Sequence, residues 1–182
     1  MIEVEVKVAI SEEEKSKLVE EMRSLCPSER VHEEEEEDIF FVSSYDPSFG
    51  IDKTLKLRRS SDRTKLIFKN KRAMKNLKGN VEVEVGIEKG SEDNILCLLR
   101  GLGFRESVVV KKKRTSFHLD GCTVNLDDVM GLGSFLEVEV LVDENEVDKA
   151  YQRIASVLSA LGLSHKKPIL KGYAEMLTAQ EV

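Results

Sequence analysis

The chain has 182 residues, 34% of them charged and 41% hydrophobic, with no Trp and three Pro, a folded-domain profile rather than a disordered one. Its formal net charge of −6 argues against broad nucleic-acid binding, while leaving room for a locally basic site. No apolar run reaches the length of a membrane span, and the chain enters a charged strand at once, so neither a membrane anchor nor a secretory signal is expected.

Residues 2–10 read as a strand that puts Ile2, Val4 and Val6 on one face and Glu3, Glu5 and Lys7 on the other. Ser11 then caps a helix running to about residue 25, with Glu14 completing a capping box and Leu18, Val19, Met22 and Leu25 as its apolar stripe. Pro27 ends it. The acidic run over residues 33–38 reads mostly as a solvated edge, followed by a strand at 39–42 and a turn-rich stretch at 45–50. Three alternating segments at 54–59, 65–71 and 81–87 form an antiparallel meander. Ser91 opens a second helix carrying Ile95, Leu98, Leu99 and Leu102, stopped near Gly101 and Gly103.

Four further strand-like runs follow at 106–112, 114–119, 123–129 and 135–142, with Asp120-Gly121 as a hairpin signal. A third helix spans 144–161, and the short tail at 168–177 is placed to pack back onto the strands. No linker divides the chain, so residues 1–182 are expected to form one α+β, mainly β domain of eight antiparallel strands with about three flanking helices. Cys26, Cys97 and Cys122 lack metal-ligand spacing and read as reduced, buried thiols of a cytoplasmic protein.

The functional signal is charge at strand spacing. The Glu-x-Glu pattern of Glu3 and Glu5 recurs at Glu82 and Glu84 and at Glu137 and Glu139, each within an alternating apolar segment. Any one pair reads as a wet strand face. Facing one cavity, such pairs plus Asp127 would repel unless a divalent cation or basic groups compensated them, and oxygen-rich sites suit Mg2+ or Mn2+. The basic complement is Lys7, Lys56 with Arg58, Lys65 with Lys69, and Lys112 with Arg114, a set matched to a polyanion such as a triphosphate. Such a polar interior requires a closed barrel whose apolar faces point outward under the helices.

Glu3-x-Glu5-x-Lys7 resembles the signature of the triphosphate tunnel metalloenzymes, the CYTH superfamily, and the likeness extends along nearly the whole chain. Asp38-Ile39-Phe40-Phe41 is similar to the family's Asp-x-Tyr-Phe, Leu55-Lys56-Leu57-Arg58 to its Leu-Arg-x-Arg, and Leu66-Ile67-Phe68-Lys69 to its later lysine strand. Gly101-Leu102-Gly103-Phe104 and Lys112-Lys113-Arg114 match the glycine-bounded helix end and the Lys-x-Arg strand beyond it. The segment 126–139, with Leu126-Asp127, Gly131-Leu132-Gly133 and Glu137-x-Glu139, resembles the class IV adenylyl cyclases.

The resemblance implies an eight-stranded antiparallel tunnel binding metal and triphosphate. It suggests Glu3, Glu5 and Glu137 as ligands of Mg2+ or Mn2+, with Glu139 and Asp127 beside them. Lys7, Arg58, Lys69, Lys112 and Arg114 would hold the phosphates, helped by Lys56, while Glu82 and Glu84 line the lumen. The implied reaction is ATP to cyclic AMP and pyrophosphate; the same site could hydrolyse tripolyphosphate, a nucleoside triphosphate or thiamine triphosphate. A non-catalytic polyphosphate- or nucleotide-binding module is the reading from another class, and the carboxylates weigh against it. No nucleic acid or membrane partner is implied, and a homodimer is compatible with the resemblance. Two departures stand out: Asn80 where cyclase-type members often carry Arg, with Lys78 nearby, and Gly172-Tyr173 in place of Ser-Tyr.

Overall fold

The computed structural model describes residues 2–74, 77–119 and 121–180, and for residues 71–74 and 77–80 the backbone course alone. The readings that involve Asp120 and the side chains of Lys78 and Asn80 therefore lie outside the described residues. The described residues form eight strands: β1 (Ile2–Ile10), β2 (Val31–Ser43), β3 (Lys53–Arg59), β4 (Thr64–Met74), β5 (Leu77–Ile87), β6 (Phe104–Leu119), β7 (Cys122–Val129) and β8 (Gly133–Val142). Among the described residues four α-helices accompany them: α1 (Glu12–Leu25), α2 (Glu92–Gly101), α3 (Val147–Ala160) and the short α4 (Tyr173–Thr178). Among the described residues no helix is long and apolar enough to cross a membrane.

Every ladder is antiparallel, in the order β1-β5-β4-β3-β2-β6-β7-β8, and β1 pairs with both β5 and β8, so the ladders carry round a barrel. The two seams of β1 are unequal. Nine residue pairs join it to β8, whereas β5 meets it only at Glu3 opposite Asn80 and Val4 opposite Gly79.

Period-two alternation divides the faces. The apolar sides of β1, β6, β7 and β8 look outward, and Val4, Val8, Phe117, Val124, Leu136 and Val138 pack there beneath α1 and α3. Met22 and Ile154 are the deepest helix contributions, each 1% exposed. Leu96 and Leu99 of α2 cover Ile39, Phe41, Leu55 and Leu57 on β2 and β3 in the same way. The core thus lies between barrel and helices, leaving the inner face free to be polar.

Local signals explain most boundaries. Ser11 accepts from the Glu14 amide while the Glu14 carboxylate accepts from the Ser11 amide, the capping box expected for α1. The β7–β8 turn holds Gly131 and Gly133 at φ of 82° and 97°, left-handed values that a side chain resists.

Several expectations need correction. Leu25 is exposed, as are Leu98 and Leu102, because the seats under α1 and α2 are filled by Leu18, Met22, Leu96 and Leu99. The runs at 106–112 and 114–119 are one 16-residue strand, β6, paired along its length with β2. The acidic stretch 33–38 is solvated only in part: it lies inside β2, where Glu33 and Glu35 are exposed but Glu36 and Asp38 are buried. Cys26 and Cys122 are buried free thiols, but Cys97 is exposed.

Candidate active site

Because directly paired residues on neighbouring strands point to the same side, register arranges the inner face into rows. One row runs Glu5, Glu139, Thr123, His118 across β1, β8, β7 and β6. The next runs Lys7, Glu137, Asn125, Ser116, His32 and so reaches β2. Beyond it come Asp127, Arg114 and Glu34, and further round Asp38, Arg58 and Lys65. Lys69 lies opposite Glu82, and Glu3 lies on β1 next to that ladder.

Glu3, Glu5 and Glu139 bring carboxylate oxygens within 4.8 Å of one another. Burial pushes all three carboxyls upward; Glu82 adds to the rise at Glu3 and Glu137 to that at Glu5. Glu139 reaches about 7: burial is the main cause, with Glu3 and Glu137 adding and Arg114 opposing. Three hard oxygen donors that repel one another fit a cation of the Mg2+ or Mn2+ type, which would relieve that repulsion.

The cations form the rest of the wall, each held by carboxylates. Arg114 donates from Nε and Nη2 to the two oxygens of Asp127, both at 2.6 Å, and from Nη2 to Glu137 at 2.5 Å. Its Nη1 lies 3.8 Å from Glu139, which joins this cluster to the carboxylate trio. Arg58 forks onto Asp38 at 2.7 and 2.8 Å and reaches Glu36 at 2.8 Å. Lys56 donates to Asp38 at 2.8 Å, and Lys112 lies 3.0 Å from Glu36. Lys7 pairs with Glu137 at 3.2 Å, and Lys69 bridges Glu3 at 2.8 Å and Glu82 at 2.6 Å. Lys65 pairs with Glu84.

These pairs set the charge states. Burial disfavours ionisation of Glu137, yet Arg114 and then Lys7 hold its carboxyl well below the usual carboxylate range. Asp38 behaves alike: burial opposes ionisation, and Lys56 and Arg58 overcome it. Lys56 is pulled down to about 8 by burial, with Asp38 resisting. Forked arginines fixed by buried acids are pre-organised to present their remaining N–H groups to a phosphate.

The expected ligand carboxylates thus separate into two groups. Glu3, Glu5 and Glu139 cluster, whereas Asp127 and Glu137 close on Arg114. All the expected basic residues line the lumen in these pairs, and Glu82 and Glu84 serve Lys69 and Lys65. Sequence reasoning missed Glu34, Glu36 and Asp38; their even spacing with the Asp-x-Tyr-Phe likeness was the available signal. Arg58, Lys65, Glu34 and Glu36 line a cavity of about 70 Å³ with Ser60 and Arg63, the last two also unforeseen.

The other end of the lumen is shut. Inward-facing Val110, Val129 and Phe135 turn apolar there, with Phe40 beside them, and Tyr173 of α4 seats against them. Its hydroxyl donates to Asp127 at 2.9 Å, its ring lies 4.1 Å from Lys7 Nζ, and Lys7 also donates to the Lys171 carbonyl at 3.2 Å. Ile169 donates its amide to the Lys7 carbonyl, fixing the tail to β1.

The family model described as the CYTH domain matches residues 1–173. A Methanocaldococcus jannaschii protein that carries the provisional name adenylate cyclase is 33% identical over 178 residues, spanning 97% of this chain and 98% of that protein. The adenylate cyclase CyaB of Aeromonas hydrophila is 27% identical over 82 residues, 44% of this chain and 43% of its own. A solved structure from Pyrococcus horikoshii, 29% identical, superposes with a TM-score of 0.83, covering 98% of this chain and 99% of that one.

Proposed function

Because the chain belongs to the CYTH domain family, we propose that it is a divalent-metal-dependent enzyme acting on a triphosphate, with a reaction of adenylate cyclase type. The cyclase assignment is supported by the names of the Methanocaldococcus and Aeromonas relatives. One observation carries the reading: Arg114 is forked onto buried Asp127 and Glu137 while its remaining nitrogen sits 3.8 Å from Glu139, so the phosphate-binding wall and the carboxylate trio form one continuous site.

In this reading Arg114, Lys112, Lys7, Arg58 and Lys69 bind the phosphate chain, while Asp127, Glu137, Asp38 and Glu36 hold those cations in place. Glu3, Glu5 and Glu139 would hold Mg2+ or Mn2+, which supplies polarisation of phosphoryl oxygens and of an attacking hydroxyl. The 3′ hydroxyl of ATP attacks the α-phosphorus, the bond to the β-phosphate breaks, and the cations take up the charge of the departing pyrophosphate. The closed end under Tyr173 leaves the opposite mouth as the way in.

The test is product chromatography after incubation with ATP, tripolyphosphate or thiamine triphosphate, each with Mg2+ and with Mn2+. Cyclic AMP with pyrophosphate is expected from ATP. Orthophosphate alone would reassign the reaction to hydrolysis, and inertness towards all three would end the enzymatic reading.

A further inference from the structure

We propose that the β6–β7 sector of the lumen and its rim form a subsite for the flat heteroaromatic end of a nucleoside triphosphate, with His32 and His118 as its stacking platform. This rests on the triphosphate reading above and extends it to the group that the phosphates carry.

Glu3, Glu5, Lys7, Glu137 and Glu139 dominate the inner faces of β1 and β8, and Arg114 and Lys112 those deeper on β6. Along the same two rows, Ser116, His118, Thr123 and Asn125 are adjacent inward positions carrying no carboxylate, lysine or arginine. His32 lies opposite Ser116 and continues the run onto β2. A ligand anchored by its phosphates among the cations needs such a wall for its uncharged part, since burying apolar ring surface against unpaired charge is costly.

The rim has the chemistry for a flat base. The imidazoles of His32 and His118 are exposed, with ring centroids 5.3 Å apart and planes tilted by 60°, an aromatic pair that a flat base can reach from the rim. His118 is fixed by a 3.2 Å contact between Nδ1 and Thr123 Oγ1, and Thr123 in turn lies directly opposite Glu139. Glu5 and Glu139 of the trio therefore share a row with His118, and His32 ends the adjacent row, which places the stacking surface at the end of the phosphate chain that meets the carboxylates.

Deeper in the same sector, Asn125 supplies an independent pointer to a ligand. It is 1% exposed, Ser116 Oγ donates to its Oδ1 at 2.7 Å, and its Nδ2 has no hydrogen-bond partner. A buried amide with an unused donor is costly to keep, and a hydroxyl or carbonyl oxygen of the ligand's organic part would satisfy it.

The experiment is calorimetric titration in Mg2+ with α,β-methylene ATP and with tripolyphosphate. Wild type is compared with the double variant His32→Ala/His118→Ala and with Asn125→Ala, each checked for folding by circular dichroism. The double variant should bind the nucleotide roughly tenfold more weakly and tripolyphosphate within about twofold of wild type. Asn125→Ala should also weaken the nucleotide selectively. Unaltered nucleotide affinity in the double variant, or equal loss for both ligands, would overturn the subsite while leaving the triphosphate reading intact. Failure of wild type to bind either ligand would remove both.

Discussion

The carboxyl of Glu139 reports what burial, first, and neighbouring carboxylates, second, cost its charged form. Half-buried beside Glu3 and Glu137, it sits at about 7 instead of 4.5. At about 1.36 kcal/mol per pH unit, a gap of that size is about 3 kcal/mol of preference for the neutral form in the fold. The sign follows from the raised value. The contribution is fully present below the unfolded carboxyl's pKa and is lost as pH rises through about 7. Glu139→Gln keeps the shape and removes the charge. Without metal it should therefore leave the protein about 2–3 kcal/mol more stable than wild type at pH 8, or roughly 4–12 °C in melting temperature, and close to wild type at pH 5. Urea denaturation followed by circular dichroism, with chelator present, reads both. Adding Mg2+ at pH 8 should raise the stability of wild type and leave Glu139→Gln nearly unmoved. A variant no more stable at pH 8 than at pH 5, relative to wild type, would show that Glu139 is not held away from water among carboxylates as described.

Arg114→Lys keeps a positive charge but cannot hold Asp127 with a fork and touch Glu137 as well. It should cost about 1.5–3 kcal/mol of stability and weaken tripolyphosphate roughly 10- to 100-fold, read by urea titration and calorimetry. At low pH the depressed Asp38 carboxyl sets the trend: its stabilisation is full above the unfolded pKa, about 3.9, and drains as pH falls below it. Asp38→Asn should flatten that acid limb in a pH series of denaturation midpoints. Tyr173→Phe removes the 2.9 Å bond to Asp127 but keeps the ring over Lys7, so a loss of about 1 kcal/mol is expected, with the tail still docked.

How far the sequence could reach depended on contrast between alternate positions. On β1 the alternation of Ile2, Val4 and Val6 with Glu3, Glu5 and Lys7 is clean, and both the strand and its two faces could be assigned. On β2 the residues at 33, 35 and 37 are acidic as well as those at 34 and 36, so period two vanishes into a uniform run. Only pairing resolves it: the inward members meet Arg58, Lys112 and Lys56, while Glu37 takes Lys111 and Arg59 outside. The same loss of contrast at Lys111, Lys112 and Lys113 made β6 look like two strands. The tail motif at Gly172-Tyr173 was legible, but the partners of Tyr173 and the pairing of His32 with His118 were not, because the contacting residues are far apart in the chain.

These two kinds of legibility bear on function differently. Strand alternation reveals which side chains share a face, and that is enough to gather acids and bases into one lumen. It does not reveal which acid answers which base, and the division of labour in the site depends on that. Asp127 and Glu137 follow the same alternation as Glu139, yet register and the reach of Arg114 draw those two to the guanidinium and leave Glu139 near Glu3 and Glu5. A carboxylate neutralised by a fork positions a cation; a carboxylate left among its own kind seeks one. The roles therefore arise from a few ångströms of side-chain geometry superimposed on a period that treats all three residues alike.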